Sequence, residues 1–149
     1  MQSMRAIRLQ IDGEPVGKAR PRFATKTKTG KRLKYPKAIN VQATQEGLFL
    51  LEVKRQMKEL SPLAGPLSMD LVFVMPIPKY LKKKKSFQEN IKSQIQWHTK
   101  KPDTSNMVKF VEDCLIGLAY EDDSTIAISN ARKFYGESPK TLITIKEID

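Results

Sequence analysis

Alternation of apolar and polar residues marks two segments of the chain, residues 5–11 and 67–75. In the second segment, Leu67, Met69, Leu71, Phe73 and Met75 share one face, which is typical of a strand with a buried side. Residues 124–134 and 142–148 are predicted as two further strands.

Apolar residues recur instead at three- and four-residue steps in residues 38–60 and 105–118, which predicts two amphipathic helices. The second is expected to begin with Thr104 or Ser105 as its N-cap. Residues 86–98 favour a short third helix. This order of elements predicts one α+β domain over residues 1–149, with a mixed β-sheet packed against helices.

Two segments are strongly basic. Residues 17–37 contain nine Lys and Arg and no acid, and Pro21 and Pro36 argue against a buried central strand there, so a basic hairpin or arm is expected. Residues 79–85 are predicted as a basic loop. The chain has 27 Lys and Arg against 16 Asp and Glu, a net charge of +11. This surplus favours nucleic acid as partner, then an acidic membrane surface, the alternative being a basic protein with neither.

Candidate chemistry is concentrated in residues 101–126. Asn106, Lys109 and Asp113 fall on one polar helix face, with Asp103 before it and Glu121, Asp122 and Asp123 after it. Carboxylates are preferred Mg²⁺ ligands, and such ions activate water and neutralise charge on a scissile phosphate. The alternative is structural: a helix cap, an exposed ion pair and a solvated turn.

Other chemistries lack support. The sequence has no HExxH, Walker, GxSxG or Cys/His zinc pattern, and its single histidine, His98, is expected at the surface or against a partner. The single cysteine, Cys114, fits a reducing compartment. The first residues lack a signal-like apolar region, and the longest apolar stretch is too short to span a bilayer. We therefore expect a cytoplasmic protein with no membrane partner.

Five pieces of the sequence together resemble the RusA-type Holliday junction resolvases, the crossover junction endodeoxyribonucleases. They are GEPVGKARPR (Gly13–Arg22), MPIPKYLKKKK (Met75–Lys85), KPDTSNMVK (Lys101–Lys109), VEDCLIGLAYEDD (Val111–Asp123) and Lys133. The resemblance implies a homodimeric endonuclease that uses Mg²⁺, with Mn²⁺ as an alternative ion. It would bind four-way DNA junctions by shape and nick paired strands symmetrically.

The resemblance also implies roles for individual residues. Asp103, Asp122 and Asp123 match the metal-binding acids and Lys109 matches the active-site lysine, whereas Asn106 and Asp113 match motif positions with a supporting role. Ser105 departs from the family, many of whose members have a second aspartate there. A hydroxyl is a poorer Mg²⁺ ligand than a carboxylate. A non-catalytic DNA- or RNA-binding module with a degenerate acidic site therefore stays open, and an RNA-binding protein of ribosomal type is a weaker alternative.

DNA phosphates are expected to contact the basic residues, which should make affinity fall steeply with salt. The predicted set is Lys18, Arg20, Arg22, Lys31, Arg32, Lys82, Lys83, Lys84, Lys85 and Lys133. Phe23 or Tyr35 would either stack on unpaired bases or, as we favour, pack within the hairpin.

The spacing of the acids raises a geometric difficulty. A straight helix of about fourteen residues spans roughly 21 Å, whereas paired catalytic metals lie only about 3.5–4 Å apart. If the following turn is short, Asp103 and Asp122 of one chain cannot share a site. We therefore hypothesise that two copies of helix 105–118 pack antiparallel about a two-fold axis, which brings Asp103 of one subunit near Asp122 and Asp123 of the other.

Overall fold

The computed structural model describes residues 3–20 and 22–149. It consists of two β-sheets and four α-helices within these ranges. The elements in chain order are β1 (Ala6–Asp12), β2 (Arg22–Lys26), β3 (Arg32–Ile39), α1 (Ala43–Met57), β4 (Leu67–Met75), α2 (Lys79–Lys82), α3 (Lys85–Ser93), α4 (Thr104–Leu115), β5 (Ile126–Tyr135) and β6 (Lys140–Glu147).

The main sheet has four strands in the order β1-β6-β4-β5. β6 pairs antiparallel with both β1 and β4, whereas β4 and β5 are parallel, so the predicted mixed sheet and α+β class are confirmed. The residues that alternate in β4 point into the core, where Leu67, Met69, Leu71, Phe73 and Met75 are buried. This central strand therefore fixes the register of the sheet, because a one-residue slip would expose every one of them.

Helices α1 and α4 contribute the other half of the core. The rings of Phe49 in α1 and Phe110 in α4 meet edge to face, with centroids 5.5 Å apart. Val53 and Met107 are fully or almost fully buried beside them. Complete burial of an apolar side chain of this size contributes about 1.5–3 kcal/mol, so these helices are held on the sheet mainly by their apolar stripes. α4 is thereby fixed with its polar face outward.

The basic segment forms a hairpin, as predicted. β2 and β3 pair antiparallel in a separate two-stranded sheet, joined at a turn in which Gly30 has φ +86°. Pro36 lies within β3 on an exposed position, where the missing N–H is tolerated. Pro21 falls outside the described residues.

Several predicted boundaries were wrong. The helix predicted over 38–60 covers only α1, because Ile39 ends β3, where it pairs with Arg22. The helix predicted over 105–118 ends at Leu115, because the chain reverses through Gly117 at φ +84°. The helix predicted over 86–98 is α3, which begins at Lys85 and ends at Ser93.

The predicted basic loop 79–85 is also corrected. Residues 79–82 form the short helix α2, preceded by Pro78, and Lys85 already belongs to α3. Leu81 and Phe87 pack against the core, and this apolar anchoring explains why a lysine-rich segment becomes helical. Within residues 3–20 and 22–149, none of the helices has the length and apolar character needed to cross a bilayer.

Candidate active site

Asp103 occupies the N-cap position of α4, with an extended backbone at φ −65° and ψ 147°. Thr104 and Ser105, predicted as the N-cap, lie inside the helix. The Asp103 carbonyl accepts the Met107 N–H at 3.2 Å, but among the described residues its exposed carboxylate makes no capping hydrogen bond. The carboxylate is therefore available to an ion, and the helix N-terminus favours negative charge there.

Asp123 lies beside the middle of α4 and not beyond its end. After Leu115 the chain folds back, and the fully buried Tyr120 donates its hydroxyl to the Glu112 carbonyl at 2.8 Å. Asp123 Oδ2 then lies 3.5 Å from Lys109 Nζ. Lys109 is six residues after Asp103, a rise of only about 9 Å along the helix. The segment after α4 thus returns along the helix and brings Asp123 closer to Asp103 than the length of the helix suggested, although sharing of the acids between subunits stays a prediction.

An alternating row of charges continues from Asp123 across the helix face. Lys109 Nζ is 3.0 Å from Asp113 Oδ1, and Asp113 Oδ2 is 3.2 Å from Lys18 Nζ, which reaches Glu46 Oε1 at 3.7 Å. The Asp113 carboxylate, with a smaller contribution from Asp123, raises the pKa of Lys109. Single exposed pairs contribute little to stability. Their joint effect is to keep Lys109 protonated and aimed along the acidic face.

Two further acids near Lys109, Asp122 and Glu112, have shifted pKa values. The pKa of Asp122 is lowered, chiefly by hydrogen bonds from Ser124, whose N–H lies 3.2 Å from Asp122 Oδ2. Burial, and then the charge of Asp123, raises the pKa of Glu112. Glu112 was missed from the sequence, although its spacing of three from Lys109 could have placed it beside the polar face.

The loop before Asp103 is held by Lys133. The Lys133 ammonium donates to the carbonyls of Lys100 at 2.6 Å and Pro102 at 2.8 Å. His98 is buried and donates its backbone N–H to the Lys133 carbonyl, so its predicted surface position was wrong. Burial, and then the charge of Lys133, lowers the pKa of His98. The DNA contact predicted for Lys133 stays untested, and this geometry favours an anchoring role instead.

Replacing Lys133 by methionine is expected to lower stability by about 1–3 kcal/mol, because the carbonyls of Lys100 and Pro102 lose their charged donor and the Pro102 hydrogen bond is partly buried. The slope of log affinity against log salt should stay unchanged, since no phosphate contact is lost. Lys31→Met in the hairpin is the control and should reduce that slope by about one. The measurements are binding titrations over a salt series and thermal unfolding. A reduced salt slope for Lys133→Met would instead support direct phosphate binding.

The segment that leads into the hairpin is attached to α4. Lys18 donates its N–H to the Asn106 carbonyl at 3.0 Å. The buried Gln42 side chain binds both the Ala19 N–H at 2.7 Å and the Gly17 carbonyl at 2.6 Å. A Cβ on Gly17 would lie 2.8 Å from Pro102 Cβ, so only glycine permits this close approach. The sequence pattern did not reveal Gln42, because a single buried glutamine has no recognisable spacing.

The predicted phosphate contacts fall into two groups. Lys18 and Lys133 direct their ammonium groups to acceptors within the protein. The others are exposed: Arg20, Arg22, Lys31, Arg32 and Lys82, Lys83, Lys84 and Lys85. The Phe23 and Tyr35 side chains are 64% and 72% exposed, so the favoured packing of these rings within the hairpin was wrong. Lys34 Nζ lies over the Tyr35 ring, 5.7 Å from its centroid.

The carboxylates around α4 are the kind of ligand that a hard divalent cation prefers, but too few of them converge to hold it. Asp103, Asp122 and Asp123 offer carboxylate oxygens, and Mg²⁺ commonly takes one or two protein carboxylates together with waters and substrate phosphates. Among residues 3–20 and 22–149, no three His, Cys, Asp or Glu side chains converge closely enough to hold a metal. A partial site of this kind fits an ion whose remaining ligands come from the substrate or from a second subunit.

Two comparisons with known proteins show which family the chain belongs to. The family described as "Endodeoxyribonuclease RusA" matches residues 12–146, which include the hairpin, α4 and the Asp122–Asp123 turn. The chain is also 32% identical over 145 residues to the Bacillus subtilis (strain 168) protein named "Uncharacterized protein YqaN", covering 97% of this chain and 99% of that protein. The resemblance seen in the sequence is therefore confirmed, and the chain belongs to the RusA endodeoxyribonuclease family.

Proposed function

We propose that the protein is a Mg²⁺-dependent endodeoxyribonuclease that resolves four-way DNA junctions by paired nicks, with Mn²⁺ able to replace Mg²⁺. The observation that carries the proposal is the exposed Asp103 carboxylate at the start of α4 in a chain of the RusA family. The same helix carries Lys109, which contacts Asp123. These groups lie beside the root of an exposed basic hairpin, which suits a phosphodiester substrate.

Each group has a defined task in this proposal. Asp103, Asp122 and Asp123 bind the ion, which when bound supplies Lewis acidity and a nucleophilic water. Lys109 stays protonated and offsets negative charge that develops on the cleaved phosphate. Asn106 positions Lys18, because its backbone carbonyl accepts the Lys18 N–H. Asp113 positions Lys109 through their ion pair. The exposed basic residues of the hairpin and of Lys82–Lys85 bind the DNA backbone.

We further propose a homodimer in which Asp103 of one subunit and Asp122–Asp123 of the other share a metal site. A two-fold dimer would present two equivalent sites to the two symmetric strands of a junction. The lack of a three-acid cluster within residues 3–20 and 22–149 of one chain is consistent with this arrangement.

The test is incubation of the purified protein with a synthetic four-way junction and with a linear duplex of matched sequence, with and without Mg²⁺. Denaturing electrophoresis should show paired nicks in the junction only, and only with Mg²⁺. Tight junction binding with no nicks in either Mg²⁺ or Mn²⁺ would contradict the proposed activity and would favour a binding protein.

A non-catalytic DNA- or RNA-binding protein is the second candidate function, favoured by one observation. Ser105 is exposed in the first turn of α4, two residues after Asp103, where many family members have an aspartate. A hydroxyl leaves the site with one negative charge fewer and weakens its attraction for a divalent ion.

Ser105→Asp separates the two candidates. The added carboxylate should lower the Mg²⁺ concentration needed for half-maximal cutting by about tenfold, because it restores charge beside the ion. Ser105→Asn, which adds bulk without charge, is the matched control and should leave the Mg²⁺ requirement unchanged. The measurement is the cutting rate over a Mg²⁺ titration. Activity that arises only in Ser105→Asp, from an inactive parent, would identify the natural protein as a binder.

A further inference from the structure

A cavity of about 360 Å³ opens beside the loop that leads into Asp103. Tyr80 of α2, His98 and Tyr135 at the end of β5 contribute aromatic walls, and prolines 76, 78 and 102 contribute flat apolar ones. Lys100 and Lys101, which come just before Asp103 in the chain, also line the cavity. None of these groups has a task in the proposed cutting reaction. We call this cavity the tyrosine pocket.

The lining of the tyrosine pocket suits one class of ligand. Aromatic and proline faces bind flat, apolar rings, and exposed lysines bind anions, so a nucleobase with its attached phosphate matches both. Glu14, the acid in the lining, offers an acceptor for an exocyclic amino group. The volume lies at the small end of ligand pockets, which suits a single nucleotide and excludes a duplex.

The deeper wall of the pocket is preformed. The His98 and Tyr135 rings are 5.0 Å apart at 60°, and both side chains are buried. Tyr135 donates its N–H to the Gln96 carbonyl at 2.9 Å, while Lys133 holds the carbonyls of Lys100 and Pro102. Tyr80, by contrast, is 54% exposed and lies at the mouth. A preformed wall with one accessible ring lowers the ordering cost of binding a base.

We propose that the tyrosine pocket binds one unstacked nucleotide adjacent to the phosphate that is cut, with its base on Tyr80 and its phosphate on Lys100 and Lys101. The position of this nucleotide beside the cut phosphate rests on the proposed function. The binding of a nucleotide in the pocket does not. Extracting a base costs least where stacking is already interrupted, as at a branch point. The pocket would therefore add discrimination for branched over continuous DNA at the site of cutting.

The test uses a short single-stranded DNA that carries 2-aminopurine at one position, in buffer without divalent ions. The wild-type protein should bind it and change the fluorescence of the probe. Tyr80→Ala should weaken binding by about tenfold and abolish the change, whereas Tyr80→Phe, which keeps the aromatic face, should retain both. Because Tyr80 is largely exposed, its truncation should leave thermal unfolding unaltered.

Tyr35→Ala is the matched control, since it removes an exposed ring from the hairpin instead. Loss of the fluorescence change in Tyr35→Ala but not in Tyr80→Ala would overturn the pocket and assign the base contact to the hairpin. Equal binding and fluorescence in wild type and Tyr80→Ala, with junction cutting intact, would overturn the inference alone. A Tyr80-dependent signal without any junction cutting would support the pocket and overturn the proposed function.

Discussion

Asp103→Asn is expected to lower the rate of junction cutting by about three orders of magnitude while leaving junction binding intact. A neutral amide keeps the shape of the side chain but removes a metal ligand, and metal ligation contributes several kcal/mol to stabilisation of the transition state. The fold should not respond, because the carboxylate is exposed and makes no capping hydrogen bond within the described chain. Binding should stay equal or improve, since one repulsion against phosphate is removed.

Glu121→Gln is the matched control for this experiment. Glu121 is an exposed acid in the same turn as Asp122 and Asp123, and the substitution removes the same charge. Its cutting rate should stay within about twofold of wild type, because it lies outside the proposed ligand set. Single-turnover rates in saturating Mg²⁺, metal-free binding titrations and thermal unfolding provide the three readouts. Wild-type cutting by Asp103→Asn would exclude Asp103 from the metal site.

The sheet could be predicted from the sequence because its residues obey one dominant constraint. β4 alternates over its whole length, and its predicted bounds of 67–75 agree with the structure. The predicted edges of β1, β5 and β6 are within two residues of those observed. In β1, β4 and β6 burial on one face decides the structure, and hydrophobic periodicity reports burial directly. β5 is an edge strand in which only Tyr135 is buried, so its pattern carries less of this signal.

The site was only partly predictable, because its geometry depends on how the chain reverses after α4. The sequence placed Lys109 and Asp113 on one helix face, and the structure confirms their contact at 3.0 Å. It did not show that Gly117 would stop the helix and return Asp123 to Lys109. A turn of this kind is determined by tertiary packing, here the burial of Tyr120, which leaves no periodic trace in the sequence.

The roles of individual lysines were the least predictable part. Lys18 was assigned to DNA from its basic segment and Lys133 from the resemblance, yet the structure directs Lys18 to Asp113 and Lys133 to backbone carbonyls. A lysine in a basic segment has the same sequence signature whether it is solvated, paired or anchored. Only the position of an acceptor distinguishes these cases, and the acceptors of Lys133 are 31 and 33 residues away along the chain.

Mixed dimers of Asp103→Asn and Asp123→Asn chains are expected to recover cutting that neither variant has alone. If each site combines Asp103 of one subunit with Asp123 of the other, a mixed dimer carries both substitutions in one site and leaves the second site intact. Its first-nick rate should then reach about half that of the wild-type dimer. Because only one site works, the product should be a single nick per binding event instead of a pair.

The experiment requires co-expression with two different affinity tags, purification on both, and single-turnover assays on a four-way junction. Dimers of Asp103→Asn prepared in the same way control for contamination and should stay inactive. If the acids of one chain served one site, both sites of the mixed dimer would carry a substitution and cutting would be lost completely. That outcome would mean that the fold-back of Asp123 against Lys109 completes the site within a subunit, and that the two-fold axis only pairs independent sites.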